Sequence, residues 1–182
     1  MLPPAASARP GPLGAESLAR EIIGIEVGVP TFEVEMAHER LPFQLNPEKL
    51  ALKLEYTLPA DPLAISPVVE QIMRGLQGTP CLRGTDFEVE TALREALANA
   101  IVHGAKNDAT KQISCWVACD EERGIVIVVR DPGPGFDPGQ VPDPLMSENL
   151  HSNHGRGIFL ITRLMDEVRF EKNGTEIHMR KR

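Results

Sequence analysis

Residues 85–104 can satisfy their apolar pattern in only one way, as an amphipathic helix laid on a core, and the rest of the chain has to be arranged around that helix. Val89, Leu93, Ala96, Leu97, Ala100 and Ile101 recur at helical spacing and define the face turned inward. Thr85-Asp86-Phe87-Glu88 precedes them as a Ser/Thr-x-x-Glu capping box, which predicts where the helix starts. Beside the apolar face Glu95, Asn99 and His103 stand at successive i, i+4 positions and form one polar stripe. A carboxylate, a carboxamide and an imidazole in line along a buried face suit a charged ligand. Such a row is more often a solvated face, so the stripe alone assigns no function.

The flanking segments supply a sheet for that helix to cover. Leu50, Leu52, Leu54, Tyr56 and Leu58 alternate with Ala51, Lys53, Glu55 and Thr57, which predicts a strand. Asp61-Pro62 or Ser66-Pro67 then starts a helix, since each sets a capping side chain before a proline. Val68, Val69, Ile72, Met73 and Leu76 form its buried stripe, and Gly75 and Gly78 are expected to end it. Beyond the central helix, residues 113–119 and 125–130 read as strands joined by the charged turn 120–124, the second apolar enough for the middle of a sheet. Asp131-Pro132-Gly133-Pro134-Gly135-Phe136 follows, where two prolines and two glycines forbid regular structure and allow close backbone approach. Residues 137–154 lack a period and read as a long mobile loop of the kind that forms lids. His154-Gly155-Arg156-Gly157 opens a helix carrying Ile158, Ile161, Leu164 and Met165, and residues 168–172 and 175–179 flank the hairpin signal Asn173-Gly174.

Strand, helix, helix, strand, strand, loop, helix, strand, strand is the pattern of an α+β fold, a two-layer sandwich with a mostly antiparallel sheet and helices on one face. The globular domain is expected over residues 49–182. Residues 1–48 form an extension in which 1–14, rich in Pro, Ala and Gly, read as disordered, 15–25 as a short helix and 31–36 as a weak strand. Hydrophobic residues make up 42% of the chain but aromatic ones only 4%, so the core must be aliphatic. The net charge of −7 argues against a nucleic-acid partner, and Arg180-Lys181-Arg182 is too short to reverse it.

Cys81, Cys115 and Cys119 make neither a paired framework nor a zinc pattern. On a strand over 113–119, Cys115 and Cys119 share a face roughly 13 Å apart at ~3.3 Å per residue, too far for a disulfide. All three are expected as small buried hydrophobes in a reducing compartment. The N-terminus lacks the basic-then-apolar pattern of a signal peptide, and there is no 18-residue apolar stretch. A soluble, cytoplasmic protein without membrane contact is the expectation.

Three features then have to be placed together: the polar stripe, the Asp-Pro-Gly-Pro-Gly turn and the Gly-Arg-Gly helix start. The last is suited to phosphate, because a helix N-terminus offers free N–H groups and partial positive charge. It is not a Walker P-loop, since no Lys-Ser/Thr follows, nor a Rossmann turn, since Asp131 precedes the glycines. Residues 95–104, Glu-Ala-Leu-Ala-Asn-Ala-Ile-Val-His-Gly, resemble the N-box of the GHKL (Bergerat-fold) ATPase superfamily. Residues 131–136 and 154–158 resemble its two glycine boxes, and Gly174-Thr175 resembles its late motif before the last strand. The similarity runs over residues 49–182, and the short single-domain form, with residues 160–168, is most similar to bacterial anti-sigma-factor serine kinases.

That resemblance implies ATP and Mg²⁺ as ligands and a role for each matching position. Asp131 would accept the adenine N6–H, with Thr175 supporting it. Asn99 would offer its carbonyl oxygen to Mg²⁺, a hard ion that takes oxygen ligands. Gly133, Gly135, Gly155 and Gly157 would let the backbone wrap the nucleotide, with Arg156 and His103 as further nucleotide-binding positions. Glu95 would act as general base towards a serine hydroxyl. The residues keep other readings open: Asp131 as a turn-former, Arg156 paired with an acidic neighbour such as Glu148, His103 closing its helix. One departure stands out, because kinases of the family commonly carry an arginine on the helix after the first strand. Here residues 61–73 hold no basic side chain and Arg74 lies at the far end.

The function implied is a protein serine kinase that holds a sigma factor or a small anti-anti-sigma (STAS-like) antagonist and phosphorylates the antagonist, with homodimer formation a further expectation. The alternatives are an ATP-dependent partner-binding module without catalysis, and a histidine-kinase-type ATPase in which His38 of Glu35-Met36-Ala37-His38-Glu39-Arg40 accepts phosphate.

Overall fold

The structure, a computed structural model, describes Phe43, Leu45, residues 47–136 and residues 156–182. The expectations for residues 1–36, for His38, for the loop 137–154 and for Gly155 lie outside those residues. The described elements follow the expected order: β1 (Leu50–Pro59), α1 (Ile65–Leu76), α2 (Asp86–Asn99), β2 (Gln112–Asp120), β3 (Gly124–Arg130), α3 (Arg156–Leu164), β4 (Glu167–Glu171) and β5 (Glu176–Lys181). The strands form one sheet in the order β1-β2-β3-β5-β4 with every neighbour antiparallel, so the α+β reading holds.

Period-2 alternation decides which side chains meet the helices. Leu58, Ile113, Cys115, Val117, Cys119, Ile125, Ile127, Val129, Ile177 and Met179 turn to one face and pack against Val69, Ile72 and Leu76 of α1, Leu93 and Leu97 of α2 and Ile161 of α3. All six apolar positions expected on α2 and its continuation are buried. The opposite face carries a smaller cluster of Trp116, Ala118, Val126 and Val128, covered by Phe43 and Leu45. The Phe43 ring lies 4.8 Å from the Arg169 guanidinium carbon and 5.1 Å from that of Arg180, both in cation–π range.

Several local expectations are corrected. The capping box does not form: Thr85 makes no side-chain cap, and its buried Oγ1 has no hydrogen-bond partner. Asp86 and Glu88 still place negative charge in the first turn, where the helix dipole favours it. Of the two proposed starts before α1, Asp61 acts as a cap, its Oδ1 accepting from Leu63 N at 2.9 Å, but it starts a 3-10 turn (Pro62–Ala64) that leads into α1. Gly75 does not end α1. It lies in the last turn, where the missing Cβ admits Leu54 of β1, and the chain turns at Gly78 with φ +83°. The β4–β5 hairpin forms, but through a longer connection than Asn173-Gly174 alone, because Lys172, Asn173 and Gly174 all adopt left-handed φ.

The cysteine expectation is overturned for two of the three residues. Cys81 and Cys119 form a disulfide, with Cα atoms 5.9 Å apart. Cys115 and Cys119 do share the helix-side face of β2 as expected, and the partner for Cys119 comes instead from the loop after α1. Cys115 remains a free, buried thiol, and burial pushes its pKa up to about 12.

Candidate functional site

The site is built where α2 ends. Its α-helical pattern stops at Asn99, and residues Ala100–Gly104 continue as a π turn, closed by Ala105 N donating to Ala100 O at 2.8 Å. The wider turn interrupts the 3.6-residue period, and such interruptions recur at functional sites. It leaves Glu95 and Asn99 half-buried one turn apart, while His103 is exposed near the end of the π turn. The i, i+4 stripe is thus regular for its first two members and re-aimed at its third.

Gly104, the last residue of that turn, lies directly beneath Asp131. A Cβ at Gly104 would fall on the Asp131 carboxyl group. Asp131 leaves the end of β3 with its backbone N donating to Thr175 O at 3.0 Å, and its Oδ1 accepts from Gly133 N at 2.7 Å. This short Asx turn explains the Gly at 133, where a Cβ would sit 2.6 Å from both Asp131 Oδ1 and Gly104 O. Burial pushes the Asp131 carboxyl above its ordinary range, and the Gly133 N–H offsets part of that rise.

The remainder of the Asp-Pro-Gly-Pro-Gly turn interlocks with the β4–β5 connection. Phe136 N donates to Asn173 O at 2.9 Å, and Gly135 (φ +78°) has Asn173 O where its own Cβ would otherwise stand. Gly174 (φ +82°) in turn admits Phe136, whose ring packs edge-on to Phe170 at 5.4 Å. Thr175 is held by its Oγ1, which donates to Lys172 O at 2.8 Å. Its methyl lies against Gly135.

The third element arrives from α3. Gly157, in its first turn, faces the polar stripe: a Cβ there would stand 2.8 Å from Glu95 Oε2 and 3.1–3.2 Å from the Asn99 carboxamide. Arg156 precedes it as the exposed first residue of α3. The structure therefore brings Glu95, Asn99, Asp131, Gly133 and Gly157 around the C-terminal end of α2, with Gly135 and Thr175 on its rim, and places His103 and Arg156 exposed at the border. Gly155 lies outside the described residues.

Two site features escaped sequence reasoning. Gly104 was visible only as the end of a helical motif, although it makes room for Asp131. Asn173 was visible only as a turn residue, although its carbonyl receives the glycine turn. The missing arginine of α1 is confirmed as missing, since Arg74 in its last turn is the helix's one basic residue. A guanidinium does reach the start of α1 from elsewhere: Arg94, next to Glu95, donates to Ser66 Oγ at 3.1 Å and pairs with Glu90 at 2.8 Å. Among the described residues no cluster of three or more His, Cys, Asp or Glu side chains could hold a metal ion by itself, and no helix is long and apolar enough to cross a membrane.

The chain is similar in sequence to known proteins. Residues 58–181 match the family described as the histidine kinase-like ATPase domain. The anti-sigma F factor of Clostridium novyi (strain NT) is 36% identical over 102 residues, covering 52% of this chain and 69% of that protein. The anti-sigma F factor of Geobacillus stearothermophilus is 33% identical over 100 residues, 52% of this chain and 67% of that one. The serine-protein kinase RsbW of Bacillus licheniformis is 30% identical over 136 residues, 70% of this chain and 84% of that protein.

Proposed function

This chain belongs to the histidine kinase-like ATPase domain family, and from that premise we propose that it binds Mg-ATP and passes the γ-phosphoryl group to a serine of a protein partner. The observation that carries the reading is the convergence at the end of α2, where Asp131 lies over Gly104 while Gly157 faces Glu95 and Asn99. In this reading the ionised Asp131 accepts the adenine N6–H, and guanine is rejected because it presents an oxygen there. The first turn of α3 faces the phosphates with its free N–H groups. The glycines at 133, 135 and 157 hold the site together from within, since a Cβ at each would meet Asp131, Asn173 or Glu95 and force these segments apart.

The donor set also fits a magnesium ion held largely by phosphate oxygens. Asn99 is the protein ligand in this assignment, and a single neutral carboxamide leaves the remaining positions to phosphate and water. Bound there, the ion would neutralise phosphate charge. Glu95, one turn before Asn99, takes the proton of the incoming serine hydroxyl as the new O–P bond forms, the bond to the β-phosphate oxygen breaks and ADP leaves. The partners proposed are a sigma factor and an anti-anti-sigma antagonist carrying the serine, by analogy with the anti-sigma F factors and the serine-protein kinase named above. Two copies of the chain pairing with one another complete the proposal.

Incubation with labelled ATP, Mg²⁺ and candidate antagonists tests it: serine label is expected, and Glu95→Ala abolishes the label while ATP binding persists. Normal transfer by that variant would remove Glu95 from the role of base. One observation favours a second reading, a nucleotide-dependent binding module without catalysis: α1 lacks a basic residue before Arg74. Charge developing on a transferred phosphoryl group needs a fixed cation near it. Tight Mg-ATP binding, nucleotide-dependent partner affinity and no label on any partner would select that reading.

A further inference from the structure

Alternation along the strands puts a second group of charges directly behind the proposed base pocket. Asp131 turns its carboxyl to Gly104 on the helix side. Arg130, one residue earlier, continues the outward row of Val126 and Val128, and its cross-strand partner is Glu176, one residue after Thr175. Glu176 is among the few buried charged residues, with a side chain only 5% exposed. Its Oε1 lies 2.6 Å from His178 Nε2, and its Oε2 lies 3.2 Å from Arg130 Nε and 3.3 Å from Lys172 Nζ. Oε2 makes no aligned hydrogen bond, so charge rather than hydrogen-bond geometry holds it.

These partners come from the pieces of chain that make the pocket. Arg130 ends β3 immediately before Asp131. Lys172 begins the left-handed turn whose Asn173 carbonyl receives Phe136 N, and that turn leads into Thr175. His178 lies on β5. The backbone bond from Asp131 N to Thr175 O closes the same junction from within. Burial opposes charge on Glu176, but His178, Lys172 and Arg130 together hold its carboxyl below the ordinary range, so the ionised form is the one the fold uses.

We infer that Glu176 is a positioning residue for nucleotide selection: its buried carboxylate ties the ends of β3 and β5 and the turn between β4 and β5 together, and so fixes the aim of Asp131 at the base. The inference rests on the ATP reading above. It assigns to Glu176 no contact with the nucleotide. A carboxylate suits the task because it attracts the Arg130 and Lys172 cations at once while its other oxygen meets His178 Nε2, whereas a neutral amide of the same shape keeps the packing and loses the common attraction. A residue that merely stabilised the sheet would affect every nucleotide alike. One acting through Asp131 affects only nucleotides that offer an amino group at purine position 6.

Calorimetric titration of the full chain with Mg-ATP and with Mg-inosine triphosphate, which carries an oxygen at that position, tests this. Wild type, Asp131→Asn, Glu176→Gln, the double variant and Lys172→Gln are compared. Wild type is expected to prefer ATP by about tenfold or more, and Asp131→Asn to lose the preference. Glu176→Gln is expected to weaken ATP about tenfold and leave inosine triphosphate within about twofold, with no further loss in the double variant, since residues acting through one contact are not additive. Lys172→Gln, at a partly exposed position, removes one cation without disturbing buried packing, and is expected to shift the ATP preference in the same direction by a smaller factor. Equal weakening of both nucleotides by Glu176→Gln, or an ATP preference untouched in both Glu176→Gln and Lys172→Gln, overturns the inference. A wild type indifferent to the two nucleotides, or an Asp131→Asn variant that keeps the preference, instead overturns the base-pocket reading itself, and the inference falls with it.

Discussion

A single methyl group at position 104 would collide with the Asp131 carboxyl group, which makes Gly104 as restrictive as any polar side chain in the site. Gly104→Ala is expected to weaken ATP binding by tenfold or more and to destabilise the fold by about 1–3 kcal/mol, the usual range for overpacking. Calorimetry and a thermal melt check it, and unchanged binding would mean that the turn relaxes freely. Asp131 carries a cost of its own. Burial raises its folded-state pKa above the unfolded value, so the native state holds its proton longer than the unfolded chain does. The stability linked to this group is therefore present at acid pH and lost as pH rises through the folded-state value. Asp131→Asn is expected to raise the melting temperature by about 1–3 °C at neutral pH, with the gain fading below the usual Asp range near about pH 4, while adenine selectivity disappears. Melts across pH 3–8 would expose a wrong sign at once.

At the scale of elements, the loop between α1 and α2 is tied to β2 by Cys81–Cys119, closing a sequence separation of 38 residues. Loop-closure entropy puts the stabilisation from such a link at about 2–4 kcal/mol. Denaturing the protein without reductant should expose one titratable thiol, Cys115, and reduction should expose all three, since the chain has three cysteines. In the native state the buried Cys115 should resist alkylation, because burial holds its thiol protonated. Three reactive thiols in the unreduced, unfolded chain would remove the disulfide. The helices α2 and α3 show the same dependence of function on packing. Gly157 reaches Glu95 and Asn99 only because α3 lies against α2, so substitutions at the buried Ile161 are expected to move the site as well as the core.

For the whole molecule, one sheet serves two purposes. Its inner face carries the aliphatic core and the side on which Asp131 meets Gly104. Its outer face carries a small apolar cluster around Trp116 and a charged group centred on Glu176. The depressed pKa of Glu176 means that its stabilising effect is present above the unfolded carboxylate value and is lost as pH falls through the folded value. The acid limb of a urea-midpoint profile should therefore be shallower in Glu176→Gln than in wild type. An identical acid limb would show that this carboxylate does not govern acid unfolding. Mg-ATP at about 100 times its dissociation constant should add about 2.7 kcal/mol to the stability of the whole domain, because only the folded state assembles the end of α2, the Asp131 turn and the start of α3.

Much of this was legible from residue order, for physical reasons that differ from part to part. Period-2 and period-3.6 patterns are local, so the five strands, three helices and the buried face of α2 could be read directly. The four motifs around Glu95, Asp131, Gly157 and Gly174 could also be read, because each occupies a few adjacent residues. Their meeting could not. Asp131 lies over Gly104, Asn173 receives Gly135 and Cys81 finds Cys119 through contacts between residues far apart in sequence, and only the packed sheet sets those distances. Thr85 fails as a cap for the same reason, since a hydroxyl's geometry depends on how the loop enters the helix. Local pattern determined which elements form and which faces are apolar. Tertiary structure alone decided which polar groups share a pocket, because burial and proximity belong to the assembled layers and to no single stretch of chain.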